Sequence, residues 1–310
     1  QFGQFGSAGN AVATNTIVLN GATAGSAQLN LRAQPADSLL NYTYTSGKIY
    51  AVDFATIDWD PGADDRVHSI ADIEIQQSGG MDSSGNTLGL INGTVDAYFR
   101  VANNRNRSIL SAGTLTVASN AILNVDTTAG ISNLAATANN SSYLTNSISS
   151  GMSVASLIGT NRLTKWGDGT LYVRGDSSST FSGTMVIDQG SVFVTHNGSL
   201  GTGDLTVNRY GVLEVGVANF VPTNASVTYT EGSMERWSVD SARSGTLDLG
   251  PATLQISADQ PTTSVAVTLN GGGIQAYLRG DDHNGAQSSG GVLRTLNPNV
   301  TFTLAGDSFI

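Results

Sequence analysis

From about residue 110 onward, short runs of alternating apolar and polar residues each follow a glycine: GTLTV from Gly113, GTLYV from Gly169, GSVFV from Gly190, GDLTV from Gly203 and GTLDL from Gly245. Alternation of period two over about five residues predicts strands, because successive side chains on a strand point to opposite faces. The runs also come in pairs. Leu115 and Val117 are followed by Leu123 and Val125, and Leu205 and Val207 are followed at the same spacing by Leu213 and Val215. Leu247 and Leu249 with Leu254 and Ile256 form a third pair, one residue shorter. A strand, a short polar turn and a second strand, all with inward aliphatics, are what one coil of a parallel β-solenoid needs, since successive coils lay equivalent side chains on one another. The pattern therefore predicts an all-β chain, a β-solenoid of about 12 to 15 coils with roughly 20 to 25 residues in each.

A more distant repeat extends this reading towards the N-terminus. NGTVDAYFR at 92–100 returns as NGGGIQAYLR at 270–279, which places Tyr98 and Tyr277 at matching positions where packing within a coil is expected. Residues 131–160 break the pattern with scattered small and apolar residues and no charge, and are expected to form an irregular insertion, a lateral loop or a short helix near 151–158. Four segments follow: an N-terminal extension at 1–24, a β-rich part at 25–130, the insertion at 131–160 and a β-helical part at 161–310. Within the extension, TNTIVLNG reads as a strand, and Phe2 and Phe5 of the doubled QFG form an apolar tail ahead of it.

Composition narrows the functional classes. Of 310 residues, 39% are hydrophobic but only 12% charged, and 37 glycines against 6 prolines suit a packed, turn-rich fold and not collagen or a linker. Lys and Arg total 14 against 24 Asp and Glu, a formal net charge of −10, with no basic run beyond Arg105 and Arg107. Binding to nucleic acid or to an anionic membrane surface is disfavoured. No stretch approaches the roughly 18 apolar residues of a membrane span, and the first residues lack the plan of a signal peptide, as expected of a trimmed product. The absence of cysteine removes disulfides and thiol chemistry.

The run NRLTKWGDGTLYVRGDSSSTFSGTMVIDQGSVFVTHNGSLGTGDLTVNRYGVLEV, residues 161–215, closely resembles the autotransporter-associated β-strand repeat. Lys165, Gly167, Gly169, Leu171, Gly175, Phe181, Gly183, Thr184, Val186, Gly190, Val192, Val194, Leu200, Gly201, Val207 and Leu213 stand where that pattern wants them. Trp166 departs from it, standing where Thr or Asn is usual, and Ser191 replaces a common Thr. The resemblance implies a right-handed parallel β-helix outside the cell or on the surface of a Gram-negative-type bacterium. It implies no enzyme activity, because the repeat is a scaffold unit.

Candidate chemistry is sparse. In DFATIDWDPGADDR the carboxylates of Asp58, Asp60, Asp64 and Asp65 surround a Pro-Gly turn, and alternating hard oxygens of this kind suit calcium, although neither an EF-hand nor a glycine-Asp nonapeptide is present. A solvated Asp turn is the competing reading. Asp281, Asp282 and His283, with Arg279 beside them, invite comparison with β-helical polysaccharide-degrading enzymes, but no second acidic strand supports them. The matching Arg100 has no acidic neighbours in its own repeat, which suggests a structural role. His68 and His196 are isolated.

Open coil ends, an apolar tail and little visible chemistry predict a non-enzymatic protein whose partner is itself. It is expected to polymerise head to tail into an extracellular filament, sheath or surface layer, with Phe2, Phe5, Ile17, Val18 and Leu19 lending a strand to the next copy. A monomeric adhesin with a glycan or matrix ligand is the alternative, and an enzyme a distant third. No cofactor is expected apart from the candidate calcium.

Overall fold

The computed structural model describes residues 16–21, 27–32, 48–60, 67–77, 96–103, 109–127, 151–239, 242–256, 264–276 and 301–308. The described residues contain strands and no helix, so none of them forms a helix long and apolar enough to cross a membrane. The strand pairings among the described residues are parallel. The expectation of an all-β chain of parallel strands is met.

The pairings fall into three series. The first runs through Ala27–Arg32, Phe54–Asp60, Ala97–Asn103, Ala121–Thr127 and Leu163–Trp166. It continues through the first halves of Met185–Val194 and Leu205–Val215 to Val227–Tyr229. The second begins with the first half of Val67–Gln76 and passes through Ile109–Val117, Gly151–Ile158 and Thr170–Val173. The second halves of Met185–Val194 and Leu205–Val215 carry it on to Met234–Trp237, Thr253–Ile256 and Gly273–Ala276. The third joins Ile17–Asn20 and Lys48–Val52 to the second halves of Val67–Gln76 and Ile109–Val117 and then to Gly151–Ile158. Ser244–Gly250, Ser264–Asn270 and Thr301–Ala305 form a separate three-stranded parallel sheet.

Several strands serve two series because they turn a corner. Met185–Val194 pairs on one side of the corner through Met185 to Ile187 and on the other through Ser191 to Val194, with the register shifting at Ile187/Gln189. Gly190 takes the corner at φ +69°, and a Cβ there would lie 2.3 Å from the Gly167 carbonyl oxygen. The paired runs of the sequence are therefore successive sides of one corner. Leu205 and Val207 belong to the first series, and Leu213 and Val215 to the second.

Equivalent inward positions stack into aliphatic columns. Leu110, Met152, Leu171, Val192 and Leu213 follow one another in register, each 0% exposed. The cause is geometric: parallel strands in register place like side chains directly over one another, so a column filled by Leu, Val and Ile leaves little void.

Two expectations change. Residues 151–158 were expected as loop or short helix but form the strand Gly151–Ile158, with Met152, Val154 and Leu157 fully buried. Parallel partners on both sides satisfy its backbone groups and hold its alternating side chains in the inward columns. Residues 131–150 lie outside the described residues. The strand Ile17–Asn20, expected as an extension, is part of the chain's own sheet through Lys48–Val52, and Leu19 is buried. Of the distant repeat, Ala97 opens a strand in the first copy and Ala276 closes one in the second.

Truncating the inward Leu213 to alanine is expected to lower stability by about 2–5 kcal/mol through the cavity it leaves. Thr206→Ala, on the outward side of the same strand, should change it by less than about 0.5 kcal/mol. Chemical denaturation of the two variants checks this, and equal losses would contradict the facing assigned here.

Candidate functional site

Three places in the described structure carry polar side chains beyond what strand stacking needs. The first is the corner at Lys165. This residue occupies an inward position between Leu123 and Ile187, where an aliphatic side chain would continue the column. Its side chain is 0% exposed, and its Nζ donates to the carbonyls of Trp166 at 3.0 Å, Gly167 at 2.7 Å and Gln189 at 2.9 Å. The apolar stem thus lies in the core while the ammonium ties together carbonyls from two successive turns of chain. Gly167 makes this possible at φ +82°, since a Cβ there would meet the Val125 carbonyl oxygen at 2.5 Å. Burial pulls the ammonium down to about 7, against the attraction of Asp168 and Asp126. The three carbonyls also favour the charged form, which alone has a proton for each.

The second is a buried ionic cluster. In the column of Leu213 and Leu254 the intervening residue is Glu235, 0% exposed. Its carboxylate accepts from Arg243 Nε at 2.6 Å and Nη2 at 2.5 Å, from Trp237 Nε1 at 2.8 Å and from the Tyr229 hydroxyl. Arg243, 2% exposed, also lies over the Phe220 ring at 4.7 Å. Burial raises the Tyr229 phenol well above its usual range. For Arg243, burial is outweighed by the Glu235 carboxylate, which raises its pKa. A carboxylate offers about four acceptor positions, and all are used here. The cluster has no face towards solvent, so its chemistry is cohesion: Tyr229 ends one parallel series and Arg243 precedes the separate sheet.

The third is the outward face of the first series. Phe54 and Tyr98 are neighbours in register, their ring centroids 6.1 Å apart and tilted by 38°. Asn124 Nδ2 donates to Tyr98 Oη at 2.6 Å, and Arg100 Nη2 donates to Asp126 Oδ2 at 2.6 Å. Arg100, Asn124 and Trp166 form one outward column. Phe54 is 46% and Trp166 43% exposed. Asn124 is 6% exposed, and its Oδ1 has no hydrogen-bond partner. Arg100, expected to lack acidic neighbours, gains one from the adjacent strand, because pairing in register brings Asp126 beside it.

Of the carboxylates proposed for calcium, Asp58 faces outward from Phe54–Asp60, half-buried and in register with Ala102, and Asp60 ends that strand. Asp64 and Asp65 lie outside the described residues, as do Phe2, Phe5, Arg279, Asp281, Asp282, His283 and Tyr277. Among the described residues no three His, Cys, Asp or Glu side chains come together as a metal set. Of the proposed assembly residues, Ile17 and Leu19 pack towards the core while Val18 is exposed. His196 accepts from the Gly198 N–H through Nδ1. The Glu235 and Arg243 cluster was not anticipated from sequence.

Arg243→Met should destabilise the fold by about 3–5 kcal/mol, because it strands a buried carboxylate. Adding Glu235→Leu should restore part of that loss, as read from urea midpoints; a fully stable single variant would mean the cluster does not hold the two sheets together. For Lys165, the folded-state pKa of about 7 lies below the unfolded value of 10.5. Between those values the unfolded chain binds more protons, so this residue makes stability rise as pH increases from about 7 to about 10. Lys165→Met should flatten that rise relative to wild type in denaturation curves taken at pH 6, 8 and 10.

No family model, curated protein or solved structure matches this chain.

Proposed function

We propose that the chain is a non-enzymatic extracellular structural protein, a right-handed parallel β-helix that joins its copies head to tail into a filament, sheath or surface layer. The carrying observation is an uncovered column end. In Thr301–Ala305, Phe302 and Leu304 stand in register on Val267 and Leu269, which are 1% and 0% exposed, yet Leu304 is 46% exposed. An aliphatic residue at a core-facing position, with no second described strand stacked on it, is an apolar surface that another layer would bury.

A polar column supports the same reading. Arg236 donates to Glu214 and Gln255, Gln255 Nε2 donates to Gln275 Oε1 at 3.0 Å, and Gln275 is exposed on Gly273–Ala276, the last described strand of its series. Amide ladders of this kind extend readily from one stacked layer to the next. At the other end, the described pairing of Ile17–Asn20 runs to Lys48–Val52, and Val18 is 58% exposed. The resemblance of residues 161–215 to the autotransporter-associated β-strand repeat supports the handedness and a location outside the cell or on the surface of a Gram-negative-type bacterium. Adhesion remains the second reading, favoured by the aromatic face around Phe54 and Trp166.

Negative-stain electron microscopy of the purified chain at near-neutral pH should show long uniform fibres or sheets. Leu304→Lys and Val18→Lys, both at exposed positions, should give folded monomers by circular dichroism and sedimentation. Isolated wild-type particles, or fibres untouched by Leu304→Lys, would overturn the proposal. Dissolution on chelation would assign calcium to assembly and direct attention to Asp58, Asp60, Asp64 and Asp65.

A further inference from the structure

We infer that the outward face of the first series, around Phe54, Tyr98 and Trp166, binds a neutral oligosaccharide. The site uses residues remote from the uncovered end, so it stands apart from the assembly reading.

Single exposed apolar residues are ordinary on a protein surface. Here three aromatic rings share one sheet face with an array of fixed hydrogen-bonding groups. Phe54 and Tyr98 stand side by side on neighbouring strands. Trp166 lies two strands further on and one outward position along, roughly 12 Å from Tyr98 by strand geometry. That separation suits an extended oligosaccharide and exceeds a single ring. Arg100 and Asn124 share the outward row of Trp166, next to the row of Phe54 and Tyr98, and the Asp126 carboxylate stands one outward position beyond.

These are the groups that a sugar needs. Its C–H faces pack on aromatic rings, which carry a negative quadrupole, while its hydroxyls both donate and accept beside planar guanidinium and carboxylate groups. The hydrogen bonds from Asn124 to Tyr98 and from Arg100 to Asp126 hold these groups in place before any ligand arrives, which lowers the entropy lost on binding. Asn124 Oδ1 is buried against Gly167 with no donor, so the amide serves to fix Tyr98 and does not itself face a ligand.

Charge narrows the class. Arg100 is matched by Asp126, and Asp58 occupies the same outward column as Asp126, so the face offers an anionic sugar no excess cation. Trp166 adds a separate indication. Its ring is not demanded by the corner, whose cohesion comes from the side chain of Lys165 and the turn at Gly167. Its 43% exposure leaves part of a large apolar ring open to solvent.

The test is isothermal titration of the full chain at neutral pH with cellotetraose, chitotetraose and maltotetraose. At least one should bind with a sub-millimolar Kd, and Trp166→Thr should weaken it by about tenfold. Phe54→Ala should also weaken it, while Leu304→Lys should bind as wild type does even if it no longer assembles. Circular dichroism of Trp166→Thr, an exposed substitution, confirms that the fold is retained. No heat from any of the three sugars at millimolar concentration would overturn the inference, as would unchanged binding by Trp166→Thr. Loss of fibres in Trp166→Thr without sugar binding by wild type would identify the face as a contact between copies and overturn it equally.

Discussion

Parallel pairing in register is the constraint from which the rest of this molecule follows. Most described strands have a parallel partner on each side, so a side chain's neighbours above and below are fixed by register. Volume must then be conserved down every inward column, and Leu110, Met152, Leu171, Val192 and Leu213 show how closely the chain keeps to it. The same rule works outside the sheet. Arg100 meets Asp126, and Gln255 meets Gln275, because register leaves them adjacent.

Against that rule, two ionisable residues in inward columns carry a specific meaning. Lys165 and Glu235 each replace an aliphatic, and each is fully provided with partners: backbone carbonyls for the ammonium, and Arg, Tyr and Trp donors for the carboxylate. Burying a charge is expensive unless its hydrogen bonds are met. Lys165 lies at a glycine corner, and Glu235, within the regular column of Leu213 and Leu254, reaches Arg243 just ahead of the separate sheet. The polar core residues thus mark the places where backbone ladders alone do not hold neighbouring segments together.

Much of this was legible in the sequence. The glycine-led runs gave strand positions and facing because period two and glycine corners are local signals, and Leu115, Val117, Leu123 and Val125 are all inward. Glu235 and Arg243 escaped because a charged residue in a polar stretch, SMERWSVDSARSG, reads as surface. Counting on from Leu213 and Val215 by one repeat would have placed Glu235 and Trp237 inward, a signal that needs the register and not the residue types. The strand at 151–158 was missed although Gly151 leads an alternation of Met152 and Val154, because that run closes a long chargeless stretch of small residues; its pairing partners, distant in sequence, decide its conformation. The aromatic face was equally hidden, since Phe54, Tyr98 and Trp166 come from three separated strands.

The corners have one further consequence, for how such a chain can grow. Asn208 and Asp188 meet across neighbouring layers at a sequence separation of 20, whereas Thr114 and Asp72 meet at 42. The same lateral contact is thus reached with about twice as much chain between the partners. Lengthening a connection adds closure entropy only logarithmically, about 0.6 kcal/mol for each doubling. The scaffold is therefore modular at its corners. A segment spliced between two paired strands, with their register kept, would cost little closure entropy, so the connections and not the strands are where such a chain can take up foreign sequence.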